Sequence, residues 1–190
     1  MWNYSKKLQY PVSIHTKDIE MAKYIITQFG GPNGELSASM RYLSQRYTMP
    51  DDEGKALLTD IGTEELGHLE MICAMVYQLT KGASMEELKN AGLQSYYTEH
   101  GTALFPADSN GVPFNAMSFA SLSDPVACLA ENMAAEQKAR TVYENLMDLT
   151  NNPEILAPLS FLRQREIVHY ERFKNLYEKY VKKYYQPDNK

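Results

Sequence analysis

Two short stretches of this chain could do chemistry together. Glu65-Leu66-Gly67-His68 and Glu166-Ile167-Val168-His169 share the spacing Glu-x-x-His, far apart in the chain. Residues three apart lie on one face of a helix, one turn above the other. A carboxylate and an imidazole so placed can reach one metal ion, and two such pairs on two helices can hold two. The chain has only four His, and composition alone would give two such pairs in roughly one sequence in twenty. The surrounding pattern carries more weight than the spacing. Leu58, Ile61, Glu65, His68, Ile72, Met75 and Leu79 alternate steps of three and four, and so do Leu159, Leu162, Glu166, His169, Phe173, Leu176 and Tyr180. That is the seam of a buried helix bundle. Each seam is interrupted only by its Glu and His. A buried, unpaired Glu costs roughly several kcal/mol, so a compensating cation is expected beside it.

The rest of the chain must position these pairs. Residues 1–16 lack a helical period and read as an extended arm. A short helix is expected over 17–29, ended by Gly30-Gly31-Pro32. The next helix, about 32–48, carries Glu35, Ala38, Ser39, Tyr42 and Arg46 on one face. A turn at Met49-Pro50-Asp51 leads into a long helix of roughly 51–80. Ser84 and Glu87 form a capping box over 84–91. From Gly92 to Ser123 the pattern fails, and a long crossover loop is expected, covering the site or a channel to it. Asp124-Pro125 opens the third long helix as cap and first position. Its expected seam is Leu129, Met133, Glu136, Arg140, Tyr143 and Met147. The fourth runs over about 154–184, with a bend or later start expected at Pro158. Each half of the chain is thus a helix with a lone Glu followed by a helix with Glu-x-x-His.

The four helices supply Glu35; Glu65 and His68; Glu136; and Glu166 and His169. This is the donor order of ferritin-like di-iron and dimanganese bundles. Carboxylates suit Mn and Fe, and imidazole suits Fe, so the donor types do not separate the two metals. No Cys lies at the motif spacing, which argues against structural zinc. With three glutamates as ligands and a bridging hydroxide, two divalent ions are neutralised, leaving the fourth Glu for proton transfer. Beside the motifs, Glu64 and Glu70 read as solvated, His15 and His100 as non-ligands, and Arg140 as the partner of a carboxylate near the site.

Composition excludes several classes. The 190 residues include 44% apolar and 23% charged residues, ordinary for a globular protein. A net charge of −5 argues against nucleic-acid binding. No apolar run is long enough to span a membrane, and residues 1–10 lack a signal-peptide core. Cys73 and Cys128 make no disulfide framework, which fits a reducing, cytoplasmic site of synthesis. The apolar arm residues Trp2, Tyr4, Leu8 and Tyr10 are expected to be covered by another subunit or partner.

Longer motifs carry a resemblance. Leu8-Gln9-Tyr10, Gly30-Gly31-Pro32-Asn33-Gly34-Glu35, Tyr42-Leu43-Ser44-Gln45, Thr59-Asp60-Ile61-Gly62-Thr63-Glu64-Glu65 and Glu136-Gln137-Lys138-Ala139-Arg140 together resemble the manganese catalase family. The chain's shortness and Arg163-Gln164-Arg165-Glu166-Ile167-Val168-His169 resemble its spore-coat, CotJC-type branch. The resemblance covers nearly the whole chain. It implies an all-α, ferritin-like four-helix bundle with a long crossover between the second and third bundle helices. It implies two Mn ions per chain held by Glu35, Glu65, His68, Glu136 and His169, with Glu65 bridging. Catalytic roles fall to Glu166 as proton carrier, Tyr42 beside a ligand carboxylate, and Arg140. Hydrogen peroxide is the implied substrate, dismutated to oxygen and water. A homo-oligomer, hexameric in the family, and spore-coat partners are also implied. Two departures stand out: Ala135 sits where some members carry Arg, and the chain reaches Lys190 without the C-terminal arm that wraps neighbouring subunits. A di-iron ferroxidase, or a coat protein whose metal site mainly stabilises it, would use the same donors.

Overall fold

The computed structural model describes residue 5 and residues 7–185; Trp2 and Tyr4 lie outside them. The described residues form helices and no strand beyond one isolated bridge, Ala107 to Pro113. Four helices make the bundle: α3 (Glu35–Gln45), α4 (Asp52–Thr80), α7 (Pro125–Asp148) and α8 (Pro153–Tyr185). Short helices α1 (Ile19–Ile25) and α2 (Thr27–Gly30) precede them, and α5 (Met85–Asn90) and α6 (Gln94–His100) lie in the connection between α4 and α7.

Local chemistry sets most of the ends. The Asp51 carboxylate accepts from Gly54 N at 3.0 Å at the start of α4. Asp124 accepts from Val126 N and Ala127 N ahead of Pro125 at the start of α7. Ser84 and Glu87 close the expected capping box. The expected helix over 17–29 is instead two short ones, with Asp18 capping the first. The helix expected over 32–48 narrows to α3 and ends in a 3-10 turn, Arg46–Thr48. Pro158 causes no break: α8 runs through it from Pro153.

Side-chain pairs give the directions. Tyr42 pairs with Glu136, and Tyr143 with Glu35, so α3 and α7 are antiparallel. Asp60 pairs with Arg172 and Glu64 with Arg165, so α4 and α8 are antiparallel as well. With short turns inside each hairpin, α4 and α7 run parallel, which is why a long crossover must join them. Within that crossover α6 was not legible in the sequence. It is a short helix pinned by tertiary contacts: the Tyr96 hydroxyl donates to Ala103 O at 2.8 Å and accepts from Phe105 N at 2.6 Å.

The crossover is tied to α3 and the turn after it. Gln45 donates to Ala120 O, Thr48 to Leu122 O, and Ser37 bonds Ser118. A Cβ on Gly30 would sit 2.1 Å from the Pro106 carbonyl carbon, so only Gly allows this approach. Arg41, 1% exposed, lies 3.4 Å from Glu131 beneath it. The arm covers its own bundle: Leu8, Tyr10 and Val12 pack on the core, and Tyr10 stacks on Phe161 at 4.9 Å. Leu8 and Tyr10 are thus half-buried on the chain's own core. No helix of the described residues is long and apolar enough to cross a membrane.

Two apolar clusters fill the bundle. One joins Ile72, Met75, Leu79, Leu146, Leu159 and Leu162 to α1. The other joins Leu58, Ile61, Leu129, Phe173, Leu176 and Tyr180. Both expected Glu-x-x-His seams are buried along their whole length. The seam of α7 differs. Leu129, Glu136 and Tyr143 face inward as expected, but Asn132, Ala139 and Leu146 take the places expected for Met133, Arg140 and Met147. The small side chains of Ala135 and Ala139 and the Asn132–Gln45 hydrogen bond, 2.7 Å, settle that rotation.

Candidate metal centre

Between the two apolar clusters lies a polar one. Glu65 and Glu166 are each the fourteenth residue of their helices, so both Glu-x-x-His pairs fall near mid-helix. Glu35 comes from the first turn of α3 and Glu136 from the middle of α7. All six side chains are buried. Their donor atoms form two overlapping sets, each within 4.8 Å: Glu35, Glu65, His68 and Glu166; and Glu65, Glu136, Glu166 and His169. Glu65 and Glu166 belong to both.

Glu65 is the central group. Its two oxygens lie 2.7 Å from His68 Nδ1 and 2.9 Å from His169 Nδ1. Glu35 lies 3.5 Å from His68 Nδ1, and Glu136 lies 3.7 Å from His169 Nδ1. Burial works to raise the Glu65 pKa, but the charged rings of His169 and His68 outweigh it and hold that carboxyl well below its usual range. Burial and the Glu65 charge push Glu35 up to about 7. Burial, then Glu35, Glu136 and Glu65, drive Glu166 well above the carboxylate range. Without cations, Glu35 and Glu166 are thus driven toward keeping protons, while Glu65 stays charged between the two imidazoles.

Two tyrosines complete the arrangement. The Tyr42 hydroxyl donates to Glu136, as expected of a residue near a ligand carboxylate. Tyr143 donates to Glu35 in the mirrored contact, and was read in the sequence only as a seam residue. The signal was present: Tyr42 follows Glu35 by seven residues, and Tyr143 follows Glu136 by seven. Because α3 and α7 are antiparallel, each Tyr reaches the other helix's Glu. Arg140 does not join them. Its guanidinium bonds Gln137 at 2.8 Å and Glu144 at 2.5 Å on the outer side of α7, a consequence of the helix rotation. The arginine that approaches a carboxylate next to the cluster is Arg165, on Glu64. Glu64, expected to be solvated, is only 14% exposed and lies 3.0 Å from His169 Nε2. His15 pairs with Glu154 and His100 stacks on Phe105, both away from the cluster.

The residues suit cations. Glu65 Oε1, Glu136 Oε2, Glu166 Oε1 and His169 Nδ1 are buried with no hydrogen-bond partner among the described residues. Oxygen and imidazole donors without thiolate match Mn and Fe. Loss of bound ions should therefore cost stability. Chelation of metal-loaded protein is expected to lower the melting temperature by about 5–15 °C, as loss of a tight native-state ligand does. An unchanged calorimetric transition after verified metal removal would count against cations holding this cluster.

Comparison with known proteins agrees with this geometry. Residues 1–184 match the family described as manganese containing catalase. Protein CotJC of Bacillus subtilis is 53% identical over 178 residues, covering 94% of each chain. A probable manganese catalase of Clostridium acetobutylicum is 34% identical, covering 88% of this chain and 75% of its own. The crystal structure of wild-type KatB, a manganese catalase from Anabaena, superposes with a TM-score of 0.88 at 31% identity, covering 96% of this chain and 82% of that one. With its helical bundle and its buried Glu and His cluster, the chain belongs to the manganese-containing catalase family.

Proposed function

We propose that this protein is a dimanganese catalase that dismutates hydrogen peroxide to oxygen and water, built into a spore coat. The observation that carries the reading is Glu65 facing both imidazoles, with Glu35 and Glu136 as matched outer carboxylates and Glu166 in reach of both halves. Glu35, Glu65, His68, Glu136 and His169 would hold the ions. A manganese pair, when bound, supplies the two-electron oxidation of one peroxide and the two-electron reduction of the next. The chain's own work is to position and to move protons. Glu166 takes protons from the peroxide being oxidised and returns them to the peroxide being reduced. Tyr42 and Tyr143 fix Glu136 and Glu35 through hydroxyl hydrogen bonds. The apolar clusters at either end exclude water from the reacting space.

One observation favours a second reading, a di-iron ferroxidase: Glu166 lies in both donor sets, as a fourth ligand would. Elemental analysis and oxygen evolution separate the two. The catalase reading expects about two ions per chain, Mn above Fe, since a site with this donor set should fill. It also expects oxygen released in the dismutation ratio. Peroxide consumed only against Fe(II), without oxygen, would favour the ferroxidase.

Spore-coat placement and coat-protein partners are part of the proposal, on the resemblance to CotJC-type proteins. A homo-oligomer is proposed on family grounds, and light scattering at micromolar concentration tests it. Tyr143 gives a further test. Tyr143→Phe should lower peroxide turnover by about ten-fold, the scale of one buried hydrogen bond to a charged group, and Tyr42→Phe by a similar factor. Steady-state oxygen evolution at matched manganese content measures both. A tenfold loss in one variant and none in the other would mean that the two halves are not equivalent.

A further inference from the structure

We propose that Glu64 is a shared positioning residue for both metal-binding imidazoles, and that Gln9 of the N-terminal arm latches it. This rests on the metal-site reading above.

Each imidazole has two nitrogens. In both rings Nδ1 is turned into the carboxylate cluster. That leaves both Nε2 atoms on the opposite side, where Glu64 sits. Glu64 Oε2 is 3.0 Å from His169 Nε2, and Oε1 is 3.6 Å from His68 Nε2. His68 Nε2 is buried and has no hydrogen bond of its own. The rings lie 5.5 Å apart and within 21° of parallel, so one carboxylate can face both. A ring that gives Nδ1 to a metal must keep its proton on Nε2. An acceptor at Nε2 selects that tautomer, fixes the ring plane and strengthens the nitrogen as a donor. Here one carboxylate faces two rings from two helices.

Glu64 is itself held. Arg165 on α8 grips both of its oxygens, at 2.8 and 3.2 Å. Arg165 precedes Glu166 as Glu64 precedes Glu65, so equivalent positions of the two motifs pair across the bundle. That guanidinium offsets the Glu64 charge, which would otherwise add to the carboxylates of the cluster. From outside, the Gln9 amide donates to Glu64 Oε1 at 2.5 Å. The arm around Gln9 is well seated: Tyr10 stacks on Phe161, and Gln78 bonds both Val12 O and Ile14 N. The arm, Glu64 and the two imidazoles thus form one connected path from the surface to both ion positions.

The test is a Mn(II) titration, with chelator-driven release and the electron paramagnetic resonance spectrum of the manganese pair. Glu64→Gln keeps the shape but leaves one acceptor oxygen for two rings. Binding at both positions should weaken by about ten- to a hundred-fold, the range for loss of an outer hydrogen-bond partner of a ligand. The spin-coupled spectrum should change with it. Gln9→Ala, on an exposed side chain outside the ligand set, should speed manganese release by about two- to ten-fold, the scale of one hydrogen bond. If Glu64→Gln does not fold by circular dichroism, Glu64→Asp serves: it keeps the charge facing Arg165 but withdraws the oxygens by one methylene, and should still weaken both positions. Binding within about twofold of the parent, weakening confined to one ion, or unchanged release in Gln9→Ala each overturns its part of the proposal. A parent protein binding less than one ion would sink the metal-site reading itself, and the two failures are thereby distinguishable.

Discussion

Glu65→Gln is expected to empty the metal centre and abolish peroxide turnover while leaving the bundle folded. Glu65 is fully buried, and its two oxygens face Nδ1 of His68 and Nδ1 of His169, one from each half of the donor set. An amide keeps the shape but loses the negative charge and one acceptor. Both positions lose a shared donor, so affinity should fall by more than the about hundredfold that losing an outer partner costs. Inductively coupled plasma analysis after dialysis should find manganese well below about one ion per chain, against about two in the parent. Circular dichroism should still show the helices, because the apolar clusters at both ends are untouched. Full loading of the variant would place the bridge elsewhere, on Glu166.

Glu166→Gln is expected to do the opposite: to keep the metal and lose the chemistry. Glu166 also sits in both donor sets, so position alone makes it look like Glu65. Their electrostatics differ. Burial is offset at Glu65 by two facing imidazoles, whereas Glu166 faces mainly other carboxylates and is driven to hold a proton. A buried carboxyl that readily carries a proton beside the reacting space is suited to general acid–base work. Removing it should cut turnover by roughly a hundredfold, the low end of the usual range, since water can substitute in part. Manganese content should stay near that of the parent. If the variant comes out empty, Glu166 is a ligand, and the centre is closer to a di-iron pattern than to a catalase.

How much of this was legible in the chain differs from element to element. The seams of α4 and α8 were readable residue by residue. Their apolar period is long and unbroken, so a charged pair inside it can only be buried. The caps at Ser84 and Asp124 were readable too, because a cap is a contact across two or three residues. Helix α7 was harder. Its turns offer Met133 or Asn132, and Arg140 or Ala139, to the same groove, and either choice keeps an apolar stripe. The close approach of neighbouring helices chose the small residues and sent Arg140 outward to Glu144.

The sequence by itself determined the four bundle helices, the two Glu-x-x-His pairs, the lone Glu35 and Glu136 and the need for a long crossover. All of these follow from spacings of three, four and seven residues, which a helix converts into faces without reference to anything distant. Only the tertiary structure decided which groups those faces meet. Tyr143 reaches Glu35 because α3 and α7 run antiparallel. Glu64 lies one residue off its seam, where helical geometry alone points to solvent. It is covered because Arg165 and Gln9, remote in the chain, converge on it and on the imidazole edges behind it. A local pattern records which side of a helix is apolar, while a polar side chain's partner depends on how the helices are packed around it.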